Sequence, residues 1–201
     1  LSNPIQVSAG KYHTCALDDN GVQCWGNNGS GQSDLSALVA AKQISAGYDH
    51  TCGLDVRGVV CWGGDSYKQT QVPRLFNPTK VSAGYQHTCA LDDTGVVCWG
   101  KDTNGESSVV DLLSPQDIAA GDGHSCVINE NKSVVCWGSN SNGQADAPNL
   151  LNPTQVSTGN RHSCALDDNG ISCWGYDGSG RSTVPSVSNP RRLSKNYGYK
   201  H

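Results

Sequence analysis

"HTCALDDNGVQCWG", residues 13–26, sets two cysteines on either side of an Asp-Asp-Asn-Gly turn and ends on Trp-Gly. Near-copies start at His50, His87, His124 and His162. The flanks of the turn alternate with period two and carry Val, Ile, Thr, Leu and Trp, which is strand chemistry around a hairpin turn. A turn at Asp18 to Gly21 sets Leu17 opposite Val22, Ala16 opposite Gln23 and Cys15 opposite Cys24. The fourth copy has one extra residue between its cysteines, and a five-residue turn at Asn129 to Ser133 restores the register of Cys126 with Cys136.

Opposed residues on antiparallel strands have Cα atoms about 4.5 to 5.5 Å apart, within reach of a disulfide. Five intrablade bridges are therefore predicted: Cys15–Cys24, Cys52–Cys61, Cys89–Cys98, Cys126–Cys136 and Cys164–Cys173. Each closes a loop of about ten residues, for roughly 2.5 to 3 kcal/mol in the chain-entropy account. The sequence begins with Leu1 and contains 10 Cys and no Met. It reads as a mature or trimmed chain from an oxidising compartment, secreted or extracellular.

Outward from the hairpin, the whole chain is repeat. Units start at Val7, Ile44, Val81, Ile118 and Val156, giving repeats 7–43, 44–80, 81–117, 118–155 and 156–192, with 193–201 a partial sixth repeat or closing tail. A period near 37 marks a solenoid or a propeller. No helical stripe is present. In each hairpin His13, Cys15 and Leu17 project to one side while Thr14, Ala16 and Trp25 project to the other, and neither side is strongly polar. Both faces need cover, and radially stacked blades supply it, so the expected fold is an all-β propeller forming a single domain over 1–201. The likeness of "LSNPIQV" (1–7) to "LLNPTQV" (150–156), and the entry "VSNPRRLS" (187–194), fit ring closure. Either five blades close, or the chain is part of a longer array.

Composition excludes several classes. A formal charge of −4 without a long basic tract argues against nucleic acid. No run approaches the roughly 18 apolar residues of a membrane helix. Phosphate-loop and nucleophile-elbow motifs are absent, and residues repeated five times are poor candidates for an asymmetric catalytic role, so no enzyme and no cofactor are expected. One His per unit (His13, His50, His87, His124, His162) reads as structural, bonding a neighbouring loop, because zinc sites cluster their ligands at short spacing. The Trp of each unit (Trp25, Trp62, Trp99, Trp137, Trp174) reads as interblade packing. The turn aspartates Asp18, Asp19, Asp92, Asp93, Asp167 and Asp168 lack the bidentate acid of a calcium loop, so no metal is expected.

The pattern AGxxHTCALxxxGxVxCWGxNxxGQ resembles the repeat of the regulator of chromosome condensation superfamily, over essentially all of residues 1 to 194. "WGGDSYKQTQVP" (62–73) and "GRSTVP" (180–185) are similar to its short-repeat branch typified by β-lactamase inhibitory protein II, a secreted bacterial propeller. The paired cysteines look like those of bacterial extracellular members and of crinkly-type plant receptor kinase ectodomains. Such relatives usually carry seven blades, against five here, and the long loops by which the nuclear exchange factor meets its small GTPase have no room in a 37-residue unit.

If the constant positions build the scaffold, recognition falls to the positions that vary. One set follows Ala-Gly: Lys11 and Tyr12, Tyr48 and Asp49, Tyr85 and Gln86, Asp122 and Gly123, Asn160 and Arg161. A second follows Trp-Gly and includes Tyr67, Lys68, Lys101 and Tyr176. Tyr and Arg suit an interface, and the resemblance to the inhibitory protein implies that these loops face a protein target. The expected partner is an extracellular protein, read by a monomer. A glycan bound at repeated shallow lectin sites, or a structural role as repeats of a larger surface protein, are the alternatives.

Overall fold

The computed structural model describes residues 1–34, 38–109, 112 and 114–193. Every regular element among them is a strand. Blade 1 comprises β1 (Gln6–Ala9), β2 (His13–Asp18) and β3 (Gly21–Gly26), and blade 2 comprises β4 (Gln43–Ala46), β5 (His50–Asp55) and β6 (Gly58–Gly63). Blade 3 is β7 (Lys80–Ala83), β8 (His87–Asp92) and β9 (Gly95–Gly100); blade 4 is β10 (Asp117–Ala120), β11 (His124–Ile128) and β12 (Val134–Gly138). Blade 5 is β13 (Gln155–Thr158), β14 (His162–Asp167) and β15 (Gly170–Gly175). Each is a separate three-stranded antiparallel sheet in chain order.

The hairpin register is the expected one. Cys15 pairs with Cys24, Leu17 with Val22 and Thr14 with Trp25, and the five-residue turn of blade 4 returns Cys126 to Cys136. Pairing continues one step further than the turn requires, to Asp18 with Gly21, where Gly21 has φ 106°, a conformation that costs glycine nothing. All ten cysteines are paired within their own blades, at Cα separations of 4.0 to 4.1 Å.

Consecutive blades stack through one repeated interface. The trailing face of a blade carries the His, Cys and Leu of its middle strand; the leading face of the next carries Val or Ile, Ala, Thr or Ser, and Trp. Thus Cys15 and Leu17 pack with Ile44 and Trp62, and Cys89 and Leu91 pack with Ile118, Ala120 and Trp137. Several backbone groups at these seams find side-chain partners across them, as burial demands. The Gln6 amide brackets one residue of blade 2, donating to Ile44 O and accepting from Ile44 N, both at 2.9 Å. Gln43 does the same to Val81 at 3.0 Å. Blade 3 has Lys80 at this position and blade 4 has Asp117. The two form an ion pair, and Asp117 also accepts Val156 N at 2.8 Å.

Four of the five histidines bond across the seams, to a partner other than the expected loop. His13 Nε2 lies 2.7 Å from Thr51 Oγ1, His50 Nε2 3.0 Å from Thr88 Oγ1, His87 Nε2 2.9 Å from Ser125 Oγ, and His124 Nε2 3.0 Å from Ser163 Oγ. These hydroxyls sit on the middle strand of the following blade. Each in turn donates to a carbonyl of its predecessor: Thr51 to Gln32 O, Thr88 to Gln69 O, Ser125 to Glu106 O and Ser163 to Gln144 O. The Gly three residues before His13, His50, His87 and His124 has no room for a side chain, since a Cβ there would lie 2.5 to 2.7 Å from the Cε1 of that His.

The five blades form an open arc, so ring closure by five does not hold. Ile44, Val81, Ile118 and Val156 are at most 5% exposed, whereas the equivalent Val7 is 59% exposed. Trp99, Trp137 and Trp174 are buried, whereas Trp25 is 48% exposed. At the other end a sixth unit begins. Asn189 adopts the φ near 50° of Asn3, Asn77 and Asn152, and Gln155 brackets Leu193 as Gln6 brackets Ile44. The rest of the 193–201 segment, from 194 onward, lies outside the described residues. The innermost strands line a central cavity of about 540 Å³.

Candidate binding face

In each blade the first strand ends, the second begins and the third ends at one edge of the sheet, so the loops after Ala-Gly and after Trp-Gly share a rim. Backbone bonds tie them together. Within a blade, Tyr12 O accepts Asn27 N, Asp49 O accepts Gly64 N, Gln86 O accepts Lys101 N and Arg161 O accepts Tyr176 N, at 2.7 to 2.8 Å. Between blades, the residue after each Gly donates to the Gly carbonyl of the next unit: Lys11 to Gly47, Tyr48 to Gly84, Tyr85 to Gly121 and Asp122 to Gly159. The side chains at the mouth of the arc are thus carried on a hydrogen-bonded collar.

Over blades 1 to 3 this collar gathers an aromatic cluster. Tyr12 and Tyr48 meet edge to face at 5.6 Å, and Tyr48 and Tyr85 at 4.0 Å. Lys11 Nζ stands 4.7 Å from the centroid of Tyr12, 4.4 Å from Tyr48 and 6.0 Å from Tyr85. Lys101 Nζ lies 5.4 Å from Tyr67 and 5.9 Å from Tyr85, joining the second loop set to the first. The quadrupole of each ring attracts these cations.

The protonation equilibria follow from the contacts. The Tyr85 phenol is held above the ordinary value by burial and by its hydrogen bond to Tyr48, while that same bond, with help from Lys11, lowers Tyr48. Burial works against the charge of Lys11, but hydrogen bonds to Tyr12 and Tyr48 outweigh it and raise the ammonium. Asp49, half-buried, is raised by desolvation, opposed by a 3.3 Å bond from Gln69 Nε2.

Not every residue singled out from the sequence joins the cluster. Gln86, Asp122 and Asn160 are half-buried on the collar, and Arg161 is exposed there. Lys68 is exposed in the turn closed by its N–H to Asp65 O. Tyr176, 40% exposed, sits apart under the guanidinium of Arg181 at 5.6 Å. The bridging role of Lys101 and the stacking of Arg181 were not legible, because each depends on the distance between loops of different position in the repeat. A buried loop residue, Gln32, Gln69, Glu106 or Gln144, was also missed as the support of this rim. The recurrent Gly-Gln at 31–32 and 143–144 was its only signal.

The turn aspartates lie at the opposite rim and serve the chain. Asp18 accepts Ser2 N and Asn20 N, Asp92 accepts Phe76 N and Thr94 N, and Asp167 accepts Leu151 N and Asn169 N. Among the described residues no group of three or more His, Cys, Asp or Glu is placed to hold a metal.

The family model of the regulator of chromosome condensation (RCC1) repeat matches residues 5–32, 41–69, 79–106, 116–144 and 154–181. None of the curated proteins matches the chain. Among solved structures, the ectodomain of the Physcomitrella patens receptor kinase CR4 is similar at 25% identity and TM-score 0.76, over 92% of this chain and 55% of that one. The CRINKLY WD40 ectodomain of the Arabidopsis thaliana receptor kinase ACR4 is similar at 28% identity and TM-score 0.67, over 86% and 63%. Prp20p of Saccharomyces cerevisiae, whose binding to Gsp1p and histones has been described, shares the fold at 20% identity and TM-score 0.73, over 86% and 58%. The chain thus spans between 55 and 63% of the length of these structures. Five matched repeats on five stapled three-stranded blades place this chain in the regulator of chromosome condensation repeat family.

Proposed function

We propose that this chain is a non-catalytic, extracellular protein-binding propeller that reads its partner with the rim centred on Lys11, Tyr12, Tyr48, Tyr67, Tyr85 and Lys101. The observation that carries this reading is the continuous aromatic and cationic surface those residues form on a rigid collar. Tyr12 and Tyr67 are 50% and 43% exposed. Rigid aromatic anchors beside long cationic side chains are the composition of interface hot spots, and they cost little ordering entropy when the backbone beneath them is already fixed. Asp49, Gln86, Asp122, Asn160, Arg161, Lys68 and Tyr176 extend the same face as its polar surround. Five disulfides among the described residues and the likeness to two receptor ectodomains support an oxidising, extracellular setting.

Glycan binding at repeated sites is less well supported. Sugar recognition by stacking needs an open ring face, yet each of these tyrosines has a cation within 6.0 Å of its centroid and Tyr48 packs on Tyr85. The units also differ too much to repeat one site. The test is a pull-down from the native extracellular fraction with the chain and its Tyr48→Ala/Tyr85→Ala variant as baits, beside a glycan array. A protein retained by the first bait and weakened by ~30-fold or more on the second, which is about 2 kcal/mol, is the expected result. Retention of the same protein by both baits, or selective glycan binding, overturns the reading.

A further inference from the structure

We propose that the partner segment read by this rim is acidic, with Asp or Glu side chains set beside apolar ones, and that one of its carboxylates seats at Tyr85 between Lys11 and Lys101. The proposal rests on the protein-binding reading above and names the chemistry that the rim selects. A formal charge of −4 over the whole chain gives no hint of it. The charges are sorted by position, and that sorting makes the binding rim cationic.

The acids of the loops after Trp-Gly are held inside those loops. Asp65 accepts Thr70 N at 3.0 Å and Gln71 Nε2 at 2.8 Å. Asp102 accepts the N–H groups of Ser107 and Ser108 and, at 2.6 Å, the Ser108 hydroxyl. Asp177 does the same with Ser182 N, Thr183 N and the Thr183 hydroxyl. Asp34 and Asp146 each accept an Asn amide, from Asn28 and Asn140. On the collar, Asp49 is turned to Gln69 and lies so close to Gly64 that a Cβ there would stand 2.4 Å from its carboxylate oxygen. Of the collar acids Asp122 is felt at Tyr85, where burial, Tyr48 and then the charge of Asp122 raise the phenol. The exposed acids Asp19, Asp93 and Asp168 stand at the opposite rim, each bonded to the amide of an Asn.

The cations of the binding rim are not neutralised in this way. Lys68, Lys101, Arg161 and Arg181 form no ion pair with any carboxylate of the described residues. Rings hold three of the rim's cations instead. Lys101 Nζ is 5.9 Å from the centroid of Tyr85, Lys11 Nζ is 6.0 Å from that same centroid, and the Arg181 guanidinium is 5.6 Å from Tyr176. An aromatic quadrupole orients a cation without cancelling its charge, so two ammonium groups flank one ring. A carboxylate placed at that ring meets both, on side chains that stacking has already ordered. Tyr12 and Tyr67, 50% and 43% exposed, offer apolar surface beside the lysines. An acidic protein segment supplies both parts, carboxylates for the lysines and apolar side chains for the rings, whereas a sulfated polysaccharide supplies charge without such side chains. With acids at one rim and cations at the other, the field of the molecule also turns the binding rim toward a negatively charged partner.

The test is selection of a random dodecapeptide phage library on the full chain, followed by fluorescence anisotropy of the tightest peptide. The expected peptides carry Asp or Glu next to Leu, Phe or Trp. Changing the key acid to its amide weakens the peptide by ~10-fold, as for the loss of one charge-assisted hydrogen bond, and Lys101→Gln does the same. The two changes together weaken binding no further than either alone, because both remove one contact. Lys101→Arg retains the affinity. Thermal melts and an intact mass with every bridge formed certify each variant as folded, and the change in the peptide leaves the fold untouched. Acid-free peptides, or acidic peptides indifferent to both changes, overturn the acidic preference, and so does an empty selection. Heparin retained through Lys101, with no acidic peptide selected, assigns the rim to a sulfated glycan and overturns it as well. Protein binding itself is decided apart from the peptide outcomes, by the tyrosine variant in the pull-down.

Discussion

Thr158 is the one buried hydroxyl at an interblade seam, among the described residues, with no hydrogen-bond partner. The equivalent position is Ala9, Ala46, Ala83 or Ala120 in the other units. Thr158→Val keeps the branched shape while removing the desolvated oxygen, and is expected to raise stability by about 1 kcal/mol. Thr51→Val has the same chemistry and the opposite sign, because the Thr51 hydroxyl lies between His13 and the Gln32 carbonyl. It is expected to cost about 2 kcal/mol. Urea unfolding of the two variants checks the pair, and equal effects would contradict it. The seam histidines make stability depend on acidity. Burial lowers His13 from 6.5 to about 4, and His162 is lowered by burial and by Arg181. Below pH 6.5 the unfolded chain takes up protons that the folded chain refuses, so the stability is full above pH 6.5 and falls as the pH drops toward 4. Asp55, held at about 2 mainly by Arg57, adds a loss of the same direction at lower pH. Thermal melts from pH 7 to 4 should show the decline, and His13→Gln should flatten it.

Hairpins were the most legible elements, because five copies of one pattern constrain the register and the extra residue of the fourth confirms it. The disulfides followed from that register without further information. Cys52→Ala with Cys61→Ala removes a bridge whose Cys52 end is fully buried. The expected loss is about 2 to 3 kcal/mol, seen as a lower urea midpoint, with the fold retained by the seams on either side. What joins one element to another was harder to read. Nothing in the periodicity says that Lys80 and Asp117, standing where other units have Gln, neutralise each other across a seam. Lys101 likewise reaches Tyr67 and Tyr85 only because two loops of different units meet on the collar. Such contacts depend on the angle between blades, which has no counterpart in the order of residues along a strand.

For the whole molecule, repeat identity revealed the architecture and concealed its ends. Val7 and Trp25 occupy the same motif as Val156 and Trp174, so sequence alone left closure by five open, yet two are exposed and two are buried. The difference is one of neighbours, which an array of near-identical units distributes unequally between its middle and its termini. The candidate rim was legible as a set of variable positions, but its grouping was not. Tyrosines at unequal repeat positions, Tyr12 in one and Tyr48 and Tyr85 in the other, meet because the arc brings successive rims together.

Every covalent bridge lies inside a blade, and no bridge among the described residues joins one blade to the next. Under tension between its ends, such a chain sheds whole blades by parting seams of packing and hydrogen bonds. Each released hairpin still withholds the eight or nine residues between its cysteines, roughly 30 Å of slack at the reach of an extended chain. Drawn out, the molecule is a row of shock absorbers whose stroke is limited by sulfur and lengthens when a reductant is present.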